Sequence, residues 1–193
     1  EHLSVYHLTL EPNTAFGHTP PANLPDDDRA AAMQDQVEAT LAAAGYTHYE
    51  TSAYARPLRQ ARHNLNYWQF GDYLGIGAGA HGKLSLPDGI VRQARVKHPE
   101  AYMKAAGTPA AWTETPVAPR DLPFEFMMNA LRLNGGVEAG VFSERTGLPL
   151  LSCAPQLARA RLRGLLENDP LRLQPTPLGQ QFLNDLLTLF LPD

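Results

Sequence analysis

Cysteine is nearly absent from this sequence: Cys153 is the single one in 193 residues. An internal disulfide is therefore excluded, and so is any metal site built from several thiolates of this chain. A lone thiol fits a reducing compartment better than a secreted setting, so a cytoplasmic location is expected. Long apolar runs are missing too, and nothing comes near the roughly 20 residues that a membrane-spanning helix needs. Neither charge dominates. Sixteen basic and 20 acidic residues leave a formal net charge of -4, which gives no global attraction to nucleic acid or to an acidic membrane. There is no initiator methionine and no leader; Glu1 runs at once into strand-like sequence, which reads as a piece of a longer protein. No repeat or low-complexity tract is visible. What is present is apolar content of 44%, enough for a packed core in a chain of this length.

Residues 3–10 are β-rich and read as a buried strand, and Glu11-Pro12-Asn13 stops it. After a proline-bearing loop, Asp26 to Asp28 load the start of a helix, where carboxylates suit the dipole. Met33, Val37 and Leu41 give that helix an apolar stripe, and Gly45 closes it. Residues 46–53 then alternate like a strand. Strand, helix, strand predicts a βαβ unit of a parallel sheet. Residues 73–76 read as a short buried strand, and residues 84–95 as a hairpin turning at Pro87-Asp88-Gly89. Residues 98–106 read as a helix.

Gly107, Pro109, Pro116 and Pro119 mark residues 107–120 as a linker between two domains, 1–106 and 121–193. Beyond it helices are expected after Asp121, over 138–146 and over 154–167. A short strand follows at 171–173, and Thr176-Pro177 opens a closing helix with proline in its first turn. This order resembles a small, mostly helical winged-helix-like domain.

The densest functional segment is His63-Asn64-Leu65-Asn66-Tyr67-Trp68. An imidazole, two amides and two large aromatics can ligate or hydrogen-bond a cofactor while ring faces cover it, and imidazole is a usual axial ligand of haem iron. The plainer alternative is a loop anchored by Tyr67 and Trp68, with His63 satisfied by a backbone carbonyl. Gly75, Gly77 and Gly79 form a GxGxG turn, short of a full phosphate-binding pattern; such glycines let the backbone approach a neighbouring strand or ligand. His81 follows and can face the same cavity as His63, but further ligands for zinc are lacking. Glu50 and Ser52 share a strand face; the competing reading pairs Glu50 with Arg56 or Arg62. Arg145, Arg159, Arg161 and Arg163 make the helical part locally basic. Only Arg159 and Arg163 share a helix face, so a solvated face with ion pairs to Glu167 and Asp169 is expected there and nucleic acid is not.

Several blocks occur in order: Ser4-Val5-Tyr6-His7-Leu8-Thr9-Leu10-Glu11-Pro12, then Tyr49-Glu50-Thr51-Ser52-Ala53-Tyr54-Ala55-Arg56-Pro57, then residues 63–68 as HNxxYW. Gly71-Asp72-Tyr73-Leu74-Gly75-Ile76-Gly77-Ala78-Gly79-Ala80-His81 comes next, with Ala78 where the pattern has proline, and Phe124 to Gly136 continues the series. Together they resemble the C-terminal part of the HemW-type radical-SAM family, haem-chaperone relatives of oxygen-independent coproporphyrinogen III oxidase. The resemblance implies the last strands and helices of a partial (β/α) barrel, an α/β fold, followed by the winged-helix-like domain. It implies S-adenosylmethionine and a [4Fe-4S] cluster in the intact protein, held through a CxxxCxxC motif that this chain lacks. It implies haem as the bound cargo and haem-receiving respiratory proteins as partners, a role compatible with peripheral membrane association. It places Thr9 near S-adenosylmethionine, and His63, Tyr67 and Trp68 at haem; Glu50, beside Ser52 at a strand end, would suit the barrel's active face as a further cofactor-binding candidate. The alternatives are radical oxidative decarboxylation of a porphyrinogen, and a nucleic-acid-binding C-terminal domain. Whether there is catalytic turnover stays open, because the family contains both oxidases and chaperones.

Overall fold

The computed structural model describes residues 1–192. The chain forms two compact units, residues 1–61 and 62–193.

In the first unit, β1 (His2–Ser4) is followed by a short turn of helix, α1 (Ala15–His18), and by α2 (Asp27–Ala43). The Asp26 carboxylate accepts the Arg29 N–H at 2.9 Å and caps α2, and Gly45 takes the left-handed conformation just past its end (φ +79°). β2 (Thr47–Glu50) and β3 (Ala53–Ala55) follow. The expected parallel pairing of flanking strands is not formed. The sheet order is β1-β3-β2, and β3 is antiparallel to both neighbours. The single strand expected over 46–53 is split by a turn at Thr51 and Ser52, and the chain doubles back between β1 and β2. The first strand is also shorter than its β-rich sequence predicts. It ends at Ser4, with one further bond from Val5 N–H to the Ser52 carbonyl. Tyr6, Leu8 and Leu10 then lie exposed, because among the described residues no neighbouring strand takes up this length.

The second unit opens with α3 (Arg62–Trp68), so the HNxxYW segment is helical and not a loop. A three-stranded antiparallel meander follows: β4 (His81–Leu86), β5 (Gly89–Arg95) and, after α4 (Pro99–Ala105), β6 (Trp112–Pro116). The β4–β5 turn falls where Pro87-Asp88-Gly89 predicts it. Residues 73–76 do not form the expected buried strand: Tyr73 bridges Lys83, while Leu74 and Ile76 are exposed. Residues 107–120 are partly ordered into sheet, since β6 pairs with β5 across five residues from Trp112 to Pro116.

The remainder is mostly helical: α5 (Leu122–Ala130), β7 (Val137–Glu138), α6 (Ala139–Thr146), α7 (Ala154–Leu162), β8 (Arg172–Leu173), α8 (Pro177–Gln181) and α9 (Leu183–Thr188). β7 and β8 make an antiparallel ribbon, which with the helices gives the winged-helix-like arrangement. Gly147 at φ +72° ends α6. α7 stops earlier than expected, with Gly164 at φ +68° in the turn that follows. Thr176 caps α8 through the Gly179 N–H. Phe126 and Phe142, both fully buried, centre this core.

Candidate functional site

The HNxxYW helix is joined to the sheet by a tight turn. Phe70 takes a left-handed conformation (φ +57°) that a bulky residue rarely adopts. Its ring is held by burial: it is 1% exposed, packs edge-on to Phe126 at 5.7 Å, and lies under the Lys83 ammonium at 4.1 Å. Asn66 closes the turn from the helix side by donating to the Asp72 carbonyl at 2.9 Å. Its amide oxygen lies 2.1 Å from where a Cβ on Gly71 would be. The second asparagine of the motif and the Gly71-Asp72 pair that follows are thus explained by backbone packing.

β4 then lays His81, Lys83 and Ser85 on one face, because strand side chains alternate with period two. Lys83 is directly opposite Arg92 on β5, an unfavourable pairing of like charges unless each finds an anion. Each does. The Lys83 ammonium, on a side chain 1% exposed, donates to Asp72 Oδ1 (3.0 Å), the Phe70 carbonyl (2.9 Å) and Ser85 Oγ (3.2 Å). Arg92 is paired with Glu125 and also donates to the Tyr73 hydroxyl at 3.0 Å. Burial lowers the pKa of Lys83, with Asp72 opposing the shift. Burial alone would raise the Asp72 carboxyl, but the Ser85 N–H, Lys83 and the Ser85 hydroxyl outweigh it and hold it below its ordinary value.

Between α3, β4, β5 and α5 lies a cleft of about 390 Å³, within the range of roughly 300–1,000 Å³ usual for small-molecule sites. Tyr67 and Trp68 line it from α3, Phe70 and Tyr73 from the turn, and His81 and Lys83 from β4. Tyr67 and Tyr73 meet edge to face at 4.6 Å. Trp68 is covered on one face by the Arg132 guanidinium at 4.3 Å. Its buried Nε1 has no hydrogen-bond partner among the described residues.

The residues singled out by sequence are distributed as follows. Tyr67 and Trp68 reach the cleft; His63, exposed on the same helix, is not in its lining and meets the Tyr67 ring edge-on at 6.4 Å. Thr9 and Glu50 belong to the first unit. Thr9 is exposed beyond β1, whereas Glu50 is 1% exposed and accepts the Ser52 hydroxyl at 3.0 Å. Arg56 stacks on Tyr46. Lys83, Asp72 and Arg92 join the site without a motif of their own; the period-two spacing of His81 and Lys83 is the signal for Lys83, and Asp72 and Arg92 reach it through tertiary pairing. Arg161 bonds the main-chain carbonyls of Glu167 and Asp169, where side-chain ion pairs were expected.

The HemN C-terminal domain family matches residues 117–182. The heme chaperone HemW of Escherichia coli (strain K12) is 47% identical over 193 residues, all of this chain and 50% of that protein. The HemW of Haemophilus influenzae is 45% identical over the whole chain and 49% of its own length. Over its whole length this chain is similar to HemW proteins. It spans about half the length of the curated relatives it matches, and corresponds to their C-terminal part. HemW of Lactococcus lactis is similar at 32% identity over the whole chain. The fold is that of the C-terminal half of a solved radical SAM enzyme, coproporphyrinogen III oxidase (HemN) from Escherichia coli. The TM-score is 0.68 at 18% identity, covering 98% of this chain and 47% of that one.

The residues of this chain do not fit an iron–sulfur cluster. Cys153 is its one cysteine, it is buried, and burial pushes its thiol pKa up, whereas a cluster requires several thiolates. Among the described residues no group of three or more His, Cys, Asp or Glu is placed to hold a metal ion, and no helix is long and apolar enough to cross a membrane.

Proposed function

We propose that this chain forms part of a haem chaperone of the HemW type, which binds haem as cargo and passes it to haem-requiring respiratory proteins. The observation that carries the reading is the cleft walled by Tyr67, Trp68 and Tyr73 with an imidazole in its lining, in a chain 47% identical to a heme chaperone. Flat aromatic walls suit a planar tetrapyrrole, and imidazole suits its iron. Tyr67 and Trp68 supply walls, and His63, one turn earlier on α3, is one source of an iron ligand. In the intact protein, the cysteines that hold a [4Fe-4S] cluster with its S-adenosylmethionine would lie outside this chain. Thr9 and Glu50 of the first unit would then belong to the S-adenosylmethionine end. A cytoplasmic location is part of the same reading.

The test is a haem titration of the 193-residue chain, followed by absorbance, with Tyr67→Ala and Trp68→Ala alongside. Saturable uptake weakened about tenfold by either substitution supports the reading, a loss of about 1.4 kcal/mol. Absence of saturable uptake, or binding indifferent to both substitutions, would overturn it. Anaerobic turnover of a porphyrinogen by the intact protein would replace chaperone activity with oxidase activity.

A further inference from the structure

We infer that the iron ligand in this cleft is His81, and that His63 is not. The inference rests on the haem-chaperone reading and assigns the ligand within it. The chain has seven histidines, and His81 is the one that lines the cleft. Three others are engaged: His2 with the Tyr49 hydroxyl, His7 with Gln34, and His48 with Glu38 while stacked on Tyr54. Among the described residues the imidazole of His81 makes no hydrogen bond, ion pair or ring contact, so both of its nitrogens are available.

Its backbone is fixed on two sides. His81 opens β4 opposite Ala94 of β5, and the neighbouring Ala80 carbonyl accepts the Arg95 N–H at 2.8 Å. From the other side the Gly75 backbone packs so closely that a Cβ there would lie 2.3 Å from the His81 carbonyl oxygen. A ligand mounted on a strand held in this way loses little freedom on coordination. His63, exposed as His81 is, lies on the first turn of a seven-residue helix, outside the cleft lining, with an edge contact to Tyr67.

The surroundings complete the case. Tyr67, Trp68 and Tyr73 supply ring surface to the same cleft. The charged groups facing the cleft are already compensated: Lys83 by Asp72 and Arg92 by Glu125. Neither carboxylate is left to compete for the iron. One protein imidazole on an open cleft leaves the second axial position for a recipient's ligand. Transfer then consists of one bond to iron forming as the His81 bond breaks, with no change in oxidation state.

The experiment is a haem titration of the full chain carrying His81→Ala or His63→Ala, read by absorbance and electron paramagnetic resonance. His81→Ala is expected to lose the histidine-ligated spectrum and to bind about tenfold more weakly. Added imidazole should restore the spectrum, and His63→Ala should keep it. A histidine-ligated spectrum retained in His81→Ala, or its loss in His63→Ala alone, would overturn the assignment and leave the chaperone reading standing. Loss in His81→Ala without imidazole rescue counts against it too, because a missing ligand is replaceable and a collapsed cleft is not. If the unsubstituted chain takes up no haem, the chaperone reading itself fails.

Discussion

The Lys83 ammonium stands 3.0 Å from the Asp72 carboxylate, and the two partners are unequally buried: 1% of the lysine side chain is exposed against 42% of the aspartate. Water can reach one member of the pair and not the other. Removing either partner therefore has different consequences.

Asp72→Asn leaves an ammonium buried without its counter-charge, a change that costs about 3 kcal/mol or more. Lys83→Met removes the buried charge and keeps an apolar stem over Phe70, while Asp72 can be hydrated. Urea denaturation should rank Asp72→Asn as the more destabilised of the two; the reverse order would mean that Asp72 carries little of the compensation.

The pH dependence follows from the same pair. The folded-state pKa of Asp72 is lowered from an ordinary value near 3.9, so the stability it contributes is fully present above that value. It is lost as pH falls through the lowered one. The lowered pKa of Lys83 acts at the other end: relative stability rises as pH climbs through it toward the unfolded value of about 10.4. The urea midpoint should hold from neutrality to about pH 5 and fall below it. In Asp72→Asn the acid slope should be shallower.

Gly75→Ala tests the packing of the glycine turn. The added methyl meets the backbone of His81, at 2.3 Å from its carbonyl oxygen, and no flexible side chain is there to move aside. A loss of about 1–3 kcal/mol is expected, as for other overpacked sites. The His81 and Ala94 amides should exchange hydrogen faster. Unchanged exchange would show that the turn shifts independently of β4.

Phe70, Phe126 and Phe142 form a chain of edge-to-face contacts at 5.7 and 5.1 Å, linking the motif turn to α5 and α6. Phe126→Ala removes the middle ring from a fully buried position and should cost about 3–5 kcal/mol. Thermal unfolding should then lose cooperativity between the meander and the helices that follow it.

Much of this architecture is legible from local pattern. Asp26 and Gly45 bound α2, Pro87-Asp88-Gly89 turns the hairpin, Gly147 ends α6 and Thr176-Pro177 opens α8, because capping and turn chemistry act within a few residues. The failures concern pairing at a distance. Alternation over residues 46–53 does not reveal that the chain reverses at Thr51-Ser52, and apolar residues at 6, 8 and 10 do not reveal whether a neighbouring strand exists. For the candidate site, Tyr67 and Trp68 are legible as aromatics in a dense motif. The burial of Lys83 is not, because it depends on Asp72, Phe70 and Ser85 converging from separate positions. Which of His63 and His81 lines the cleft likewise depends on which strand face and which helix face meet.

Both tryptophans of the chain lie beneath a guanidinium, Trp68 under Arg132 and Trp112 under Arg95, but Trp68 alone lines the cleft. The molecule thus carries its own optical gauge. With Trp112 replaced by phenylalanine, the single remaining emitter stands in the cleft wall, and its quenching would time the arrival and departure of a coloured cargo without any attached dye.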